Sequence, residues 1–398
     1  MTGPGVVGDG PHSICYGPAV KTPAALLLIP VVAACGRLGF EPGAGSDPVD
    51  PVPDGGLDRL TCGAPAQFSV GATTSYLAAA ATPHGYHVFT VDDAGDVRGF
   101  TYAFDTAGLV PQLADVALAS DATGSIGAVS RGDEVVLAMP YGRPDPIGTQ
   151  LIPLTAQLTS GGDPAKQADW FGSFSALAAT PGGDLAFLGQ LGNGEVDAKL
   201  VSPVGIDLGA PRPVIDAADG VTMPTILPTA TGFVVAWSAS APTPNEVRAE
   251  ILDAQLAITT PPTAVSTMTQ FDPEVPRMGY LAAADTYLFA WAQKTGGTSD
   301  QVWVSLRDGS LRETQNLMIG SGFSPAIVAG DQDFLLVWED GPQLGAARVT
   351  ADGQVTPVSV LGSGGKFTAW GSRRARRPAR GGLDRNRRRR QPADRSAV

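Results

Sequence analysis

The sequence predicts an all-β protein made of repeated sheets, and three observations lead to this prediction. Gly (50) and Pro (34) together exceed a fifth of the 398 residues, which favours turns and short strands over long helices. Short apolar runs recur behind turn signals, and hairpin turns follow at intervals of 44 to 55 residues. An all-β unit that repeats every 40 to 50 residues or so indicates a β-propeller.

The first part of the repeat is a turn followed by an apolar run. Trp237, Trp291 and Trp338 fall at the same place in three of these runs, at separations of 54 and 47 residues. A continuous apolar run is expected of a strand buried on both faces between neighbouring blades, so we expect these rings to pack between blades. The six runs are HGYHVFTVDD at 84, GDEVVLAMPY at 132, GGDLAFLGQL at 182, TGFVVAWSAS at 231, DTYLFAWAQK at 285 and DQDFLLVWED at 331.

The second part of the repeat is an alternating segment that ends in a hairpin turn. In EVRAEILDAQ, Glu246, Arg248 and Glu250 alternate with apolar residues. This period of two predicts a half-solvated strand nearer the rim of the propeller. The turns lie near Asp105, Ala156, Val204, Asp253, Asp308 and Asp352.

The fold class predicted is therefore all-β, a β-propeller of about six four-stranded blades over residues 64–362. A seventh blade that begins near GKFTAW at 365 is an alternative, and a pair of β-sandwiches with evenly spaced turns is the competing architecture. The runs resemble the loosely matching propeller repeats of bacterial secreted proteins, in which two apolar residues, Val, Trp and an acidic residue precede a D-G turn. This resemblance implies an architecture and no particular activity.

An apolar segment lies near the N-terminus. Ala24 to Ala34 is eleven residues without a charged or hydrogen-bonding side chain, and Lys21 precedes it. A membrane-spanning helix needs about 20 apolar residues, so the segment has the length of a signal-peptide core instead. A buried helix or strand that ends in a cysteine is the alternative.

The residues Val32-Ala33-Ala34-Cys35 resemble the lipobox of bacterial lipoproteins. The resemblance implies cleavage after Ala34, acyl chains on Cys35 and attachment to the cell envelope, and Gly36 implies the outer membrane. Residues 1–34 are then a presequence and signal peptide, and the true start is expected near residue 20. Residues 35–63, rich in Gly, Pro and Asp, are expected to form a flexible linker.

Charge is distributed unevenly along the chain. Residues 371–398 contain eleven Arg and two Asp, a net charge of +9, which leaves −21 for the other 370 residues. An acidic body argues against a nucleic-acid partner. Residues 363–398 are predicted to be a disordered basic tail; the alternatives are a frameshift near the end of the gene and an arm that binds anionic lipid or nucleic acid.

Few residues suggest a catalytic or metal site. The chain lacks the common hydrolase, metalloprotease and nucleotide-binding motifs. His84 and His87 are expected to be solvated turn residues, because positions i and i+3 of a strand point to opposite faces. Cys62 is expected to be inert packing, and with Cys35 acylated no disulfide forms between them.

Two groups of carboxylates are candidate sites. Asp92, Asp93 and Asp96 could bind Ca²⁺, but Asp and Gly are also what a hairpin turn needs. Glu339 and Asp340 form a second pair, which is equally typical of a turn. The sequence thus predicts no catalytic residue, metal or cofactor, and Cys35 is the single site residue.

These observations favour a lipid-anchored envelope protein whose propeller displays a non-catalytic binding or scaffolding surface, and not an enzyme. Its expected partners are the membrane, through acyl chains on Cys35, and a protein or glycan ligand. The alternative is a glycan-directed envelope hydrolase or lyase that uses loops at one mouth of the propeller. Paired carboxylates in a cleft would favour the alternative, and clustered carboxylates are sparse in the sequence.

Overall fold

The computed structural model describes residues 74–358 apart from 83–84, 106–107, 124–125, 143–147, 162–164, 168–172, 181, 192, 203–205, 241–244, 267–275, 295–299 and 342. The signal segment, the linker with Cys35 and Cys62, His84 and the basic tail lie outside these residues. The described part forms 24 strands and one 3-10 turn, Ala217–Asp219. It contains no helix that is long and apolar enough to span a bilayer.

The strands form six four-stranded antiparallel sheets, and each sheet is built from four consecutive strands. Blade 1 contains β1 (Thr74–Thr82), β2 (Gly85–Asp92), β3 (Val97–Asp105) and β4 (Gly108–Ala119). Blade 2 contains β5 (Gly127–Arg131), β6 (Glu134–Tyr141), β7 (Gly148–Leu154) and β8 (Ala165–Gln167). Blade 3 contains β9 (Ser173–Ala179), β10 (Leu185–Gln190), β11 (Val196–Val201) and β12 (Arg212–Ile215).

The second half of the chain repeats this order. Blade 4 contains β13 (Val221–Pro228), β14 (Gly232–Ala239), β15 (Glu246–Asp253) and β16 (Ile258–Ala264). Blade 5 contains β17 (Arg277–Leu281), β18 (Thr286–Lys294), β19 (Asp300–Asp308) and β20 (Glu313–Ser321). Blade 6 contains β21 (Phe323–Ala329), β22 (Asp333–Asp340), β23 (Gln343–Thr350) and β24 (Val355–Val358).

The first strands of successive blades are neighbours: β1 contacts β5, β5 contacts β9, and the series continues through β13 and β17 to β21. These strands therefore line a central channel, and the other strands extend outwards, as in a propeller. The predicted all-β propeller is confirmed. The alternative seventh blade would begin outside the described residues.

The apolar runs are the second strands of the blades, and their side chains fill the spaces between blades. Trp237 and Trp291 have no exposed area and Trp338 is 7% exposed. Trp237 packs in a cluster shared by blades 3 and 4, Trp291 in one shared by blades 4 and 5, and Trp338 in one shared by blades 5 and 6. The predicted packing of these rings between blades is confirmed.

The half-solvated strand predicted from Glu246, Arg248 and Glu250 is corrected by the structure. The side chains of Glu246 and Arg248 are only 17% and 22% exposed, and Glu250 is completely buried. The third strand of a blade is also covered by a neighbouring blade. The charged face of β15 lies on the side of Leu252, which packs against blade 3.

Leucines in left-handed turns attach neighbouring blades to each other. Leu158, Leu256 and Leu311, in the turns after the third strands of blades 2, 4 and 5, have φ values of 57°, 64° and 63°. They are at most 3% exposed and belong to clusters shared with the preceding blade. Burial of each leucine offsets about 1–2 kcal/mol of backbone strain.

Candidate functional site

Asp219 and Glu246 lie at one end of the propeller. We call it the mouth face, defined by the starts of the first strands at Gly127, Val221, Arg277 and Phe323. Because the strands are antiparallel, the turns between second and third strands lie at the same end. The connection between blades 3 and 4 also reaches this face.

That connection contains a short 3-10 turn that fixes Asp219. The Asp216 side chain caps the turn by accepting a hydrogen bond from the Ala218 N–H at 2.9 Å, and Gly220 ends it with φ 57°. The backbone N–H of Ser240 donates to the carbonyl oxygen of Asp219 at 3.0 Å. These bonds hold Asp219 against the end of β14.

Asp219 forms an acid cluster with Glu246, Arg248 and Glu250 of β15. Arg248 Nη1 donates to Asp219 Oδ1 at 2.8 Å, and Arg248 Nε donates to Glu246 Oε1. The other oxygen of Asp219 accepts no hydrogen bond from the described residues, and its side chain is 16% exposed. The cluster therefore offers a partly solvated carboxylate beside a guanidinium.

Glu250 is the buried member of the acid cluster. It has no exposed area, and neither carboxyl oxygen has a hydrogen-bond partner in the described structure. Desolvation, and then the negative charge of Asp219, raise the pKa of Glu250 from 4.5 to about 8. Glu250 is therefore protonated at neutral pH, and the cluster brings a neutral carboxylic acid close to a carboxylate.

A second charged residue lies on the first strand of blade 5. Arg277 opens β17 and is half-buried, and its guanidinium makes no hydrogen bond or ion pair with a described residue. Desolvation lowers the pKa of Arg277 from its ordinary value.

The histidine prediction is partly wrong. His87 is 1% exposed, and its two ring nitrogens lie 3.3 Å and 3.2 Å from the hydroxyl oxygens of Thr82 and Thr101. It is thus a core residue of blade 1 and not a solvated turn residue, because β2 continues through it. His84 lies outside the described residues.

The two candidate groups of carboxylates have structural roles where they are described. Asp92 Oδ1 accepts hydrogen bonds from the Ala94 and Asp96 N–H groups, both at 2.9 Å, as a hairpin turn requires. Glu339 is 3% exposed, whereas Asp340 is exposed and accepts a hydrogen bond from Ser321 Oγ at 3.1 Å. Among the described residues, no group of three or more His, Cys, Asp or Glu side chains could hold a metal ion.

Sequence reasoning missed both the acid cluster and Arg277. The sequence does show charged residues at every second position of β15. A strand with one face in solvent has the same pattern, so the pattern did not reveal the cluster. Asp219 is 27 residues away from Glu246 in sequence, and only the packing of blades 3 and 4 brings the two together. No local pattern distinguishes Arg277 from a surface arginine.

No protein-family model matches the sequence, and a comparison with curated proteins finds no match. Solved structures do match the fold. A protein from Lactobacillus plantarum is 11% identical, with a TM-score of 0.51 over 76% of this chain and 89% of that chain. A periplasmic gluconolactonase from Pseudomonas aeruginosa is 15% identical, with a TM-score of 0.51 over 76% of this chain and 88% of that chain.

A third structure is a putative 6-phosphogluconolactonase from Bacteroides uniformis, 12% identical, with a TM-score of 0.50 over 73% of this chain and 87% of that chain. At these identities the likeness establishes the fold. The prediction of a non-catalytic surface that is not an enzyme is contradicted, because two of these three structures are lactonases by name. That prediction relied on sparse carboxylates in the sequence, whereas charged residues of the strands themselves can form a site.

Proposed function

We propose that the protein is a hydrolase of a sugar-acid lactone that acts at the mouth face of the propeller. The observation that carries this proposal is the pairing of a protonated carboxyl group, Glu250, with the partly solvated carboxylate of Asp219. Carboxyl groups whose pKa values are pushed apart are a common feature of acid–base catalysis. The fold likeness to proteins named gluconolactonases supports the choice of a lactone.

The Asp219 oxygen that Arg248 does not contact is the general base in this mechanism. Water adds to the carbonyl carbon of the lactone as its proton passes to Asp219. The ring C–O bond then breaks, and the ring oxygen takes this proton and becomes a hydroxyl of the open-chain sugar acid. Arg248 holds Asp219 in place. Glu250 is a positioning residue that stays neutral behind Asp219 and so limits the negative charge of the acid cluster.

Replacement of Asp219 by Asn tests the proposal. We expect the full chain to hydrolyse glucono-δ-lactone, and the rate is measured by the release of protons from the acid that forms. Asp219→Asn should lower kcat/KM about 10²- to 10⁴-fold, because the general base is lost. Glu195→Gln changes a carboxylate on a neighbouring mouth-face turn and is expected to leave the rate unchanged. A wild-type rate equal to that of buffer with a panel of sugar lactones would contradict the proposal.

We also propose that the protein is held in the bacterial cell envelope, at the outer membrane, by acyl chains on Cys35. The charge, apolar core and V-A-A-C order of residues 21–35 support this location, and Gly36 supports the outer membrane. Two or three acyl chains hold a protein to a bilayer durably.

Metabolic labelling tests the anchor. With a palmitate analogue in a bacterial host, we expect label on the wild-type chain and none on Cys35→Ser. Cys62→Ser is the matched control and should keep the label. Equal labelling of the wild type and Cys35→Ser would rule out acylation at this residue, and recovery of the labelled protein in inner-membrane fractions would rule out the outer-membrane assignment.

A further inference from the structure

Blades 6 and 1 do not pack on each other as the other neighbouring blades do. In each of the other five pairs, one apolar cluster contains residues of both blades. The cluster of Val337 and Ala346 on blade 6 contains, among the described residues, none from blade 1. The series of neighbouring first strands runs from β1 to β21 and does not close from β21 back to β1 within the described ranges. We call the space between blades 6 and 1 the opening.

Blade 1 presents a buried face to the opening. Its opposite face, towards blade 2, is identified by Gly99, where a Cβ would meet Leu158 Cδ1 of blade 2 at 2.8 Å. Because successive residues of a strand point to opposite faces, Phe100 points away from blade 2, and Val88 opposite it on β2 does the same. The large side chains on this face are each at most 5% exposed: Tyr86, Val88, Phe100 and Tyr102.

Blade 6 presents a similar face. Trp338 packs towards blade 5, so Val337 and Glu339 on either side of it point away from blade 5. They are 1% and 3% exposed, and Ala346, which lies opposite Val337 on β23, is 4% exposed. Val358, the last described residue, packs on the same face. The described chain therefore ends at the opening.

Two faces that are shielded from water without packing on each other need a further layer of protein between them. The order of the repeat places both ends of the chain in this layer. In the described blades, each fourth strand is followed by the first strand of the next blade. By this order, residues 359–370 follow β24 into the opening, and residues 64–73 occupy the place of the fourth strand that precedes β1.

The length and composition of the two segments suit this place. Gly322 alone connects β20 to β21, so the twelve residues 359–370 are more than a return from a fourth strand to the channel requires. They contain four large apolar residues and a single charge, and residues 64–73 contain no charge. The large apolar residues of the two segments are Phe68, Val70, Val360, Leu361, Phe367 and Trp370.

We infer that residues 64–73 and 359–370 dock together between blades 6 and 1 as a seventh blade, which closes the ring. The abrupt change to an arginine-rich sequence after Trp370 then marks the end of the docked part. The segment that leads back to Cys35 enters the same blade, so the proposed lipid anchor is attached where the ring closes. The inference concerns the fold and does not depend on the lactonase proposal.

Hydroxyl-radical footprinting of the full chain tests the inference. In the wild type we expect Tyr86 and Tyr102 to be oxidised as slowly as Tyr287, which is 3% exposed between blades 4 and 5. Phe367→Ser combined with Trp370→Ser should speed oxidation of Tyr86 and Tyr102 at least about fivefold and leave Tyr287 unchanged, because only the closing layer opens. Phe68→Ser combined with Val70→Ser should have the same effect. Arg374→Ser combined with Arg377→Ser, in the basic tail, is the matched control.

Wild-type oxidation of both tyrosines in either serine variant would overturn the inference. Faster oxidation of the tyrosines when the wild type is diluted would also overturn it, because a second copy of the chain would then be covering the faces.

If Tyr287 becomes accessible as well, the variant has unfolded, and hydrogen exchange of the wild type decides. We expect the amides of residues 359–370 to exchange at least about 100-fold more slowly than those of residues 371–398. Equal exchange in the two segments would contradict docking.

Discussion

Glu250→Gln is expected to stabilise the protein by an amount that grows with pH. The folded-state pKa of Glu250 is about 8, against 4.5 for the ordinary carboxyl group. Burial of the neutral acid therefore contributes stability that is fully present below about pH 4.5 and is lost as pH rises towards 8. Each pH unit in this window changes the free energy of unfolding by about 1.4 kcal/mol, or on the order of 5 kcal/mol in total.

Urea unfolding of the wild type and Glu250→Gln at several pH values between 4 and 9 measures this effect. The difference in the free energy of unfolding between the two proteins gives the contribution of Glu250, because the other titrating groups contribute equally to both. Glu134→Gln alters a half-exposed carboxylate paired with Arg131 and is the matched control. A constant difference for Glu250→Gln would mean that Glu250 titrates normally in the folded protein.

The same variant separates a structural from a catalytic role of Glu250. If Glu250 only destabilises the interface between blades 3 and 4, Glu250→Gln gains stability and keeps an unchanged pH–rate profile. If it acts through Asp219, as proposed, the alkaline limb of the kcat profile near pH 8 disappears in the variant. A substitution that both stabilises the protein and alters its pH–rate profile is expected at a residue that serves function at a cost in stability.

Truncation of the tryptophans between blades is expected to be the most damaging change at single positions. Trp237→Ala, Trp291→Ala and Trp338→Ala should each lower the free energy of unfolding by about 3–5 kcal/mol, because a buried ring is replaced by a cavity. This is a large share of the roughly 5–15 kcal/mol that stabilises a domain. Thermal melting and urea unfolding measure the loss.

Phenylalanine substitutions give the matched control. Trp291 Nε1 donates to Gln293 Oε1 at 3.2 Å, whereas the Trp237 and Trp338 nitrogens have no partner in the described structure. Trp291→Phe should therefore cost about 1 kcal/mol more than Trp237→Phe or Trp338→Phe. Red-shifted fluorescence together with unchanged melting of the alanine variants would show that these rings do not pack between blades.

The residue that lies opposite the tryptophan on the third strand differs from blade to blade. Gly345 lies opposite Trp338, and a Cβ at this position would overlap the indole ring. Arg248 lies opposite Trp237 and Trp303 opposite Trp291, so blades 4 and 5 place larger side chains there. The ring is the repeated element, and its cross-strand neighbour varies with the space that each blade leaves.

The sequence by itself determined the repeat, its period and the buried runs with Trp237, Trp291 and Trp338. These features follow from local rules: turn residues end strands, and a strand buried on both faces must be apolar throughout. The six blades of the described residues were predictable for this reason. Cys35 and the lipid anchor remain predictions, because they lie outside the described part of the chain.

Only the tertiary structure decided where the charges lie. The alternation of Glu246, Arg248 and Glu250 is identical for a solvated strand and for one covered by blade 3, so the pattern could not reveal the raised pKa of Glu250. Asp219 joins these residues because the connection from blade 3 packs against the ends of the strands of blade 4. Burial and the distance between charges depend on contacts between residues far apart in sequence, and the local pattern carries no information about them.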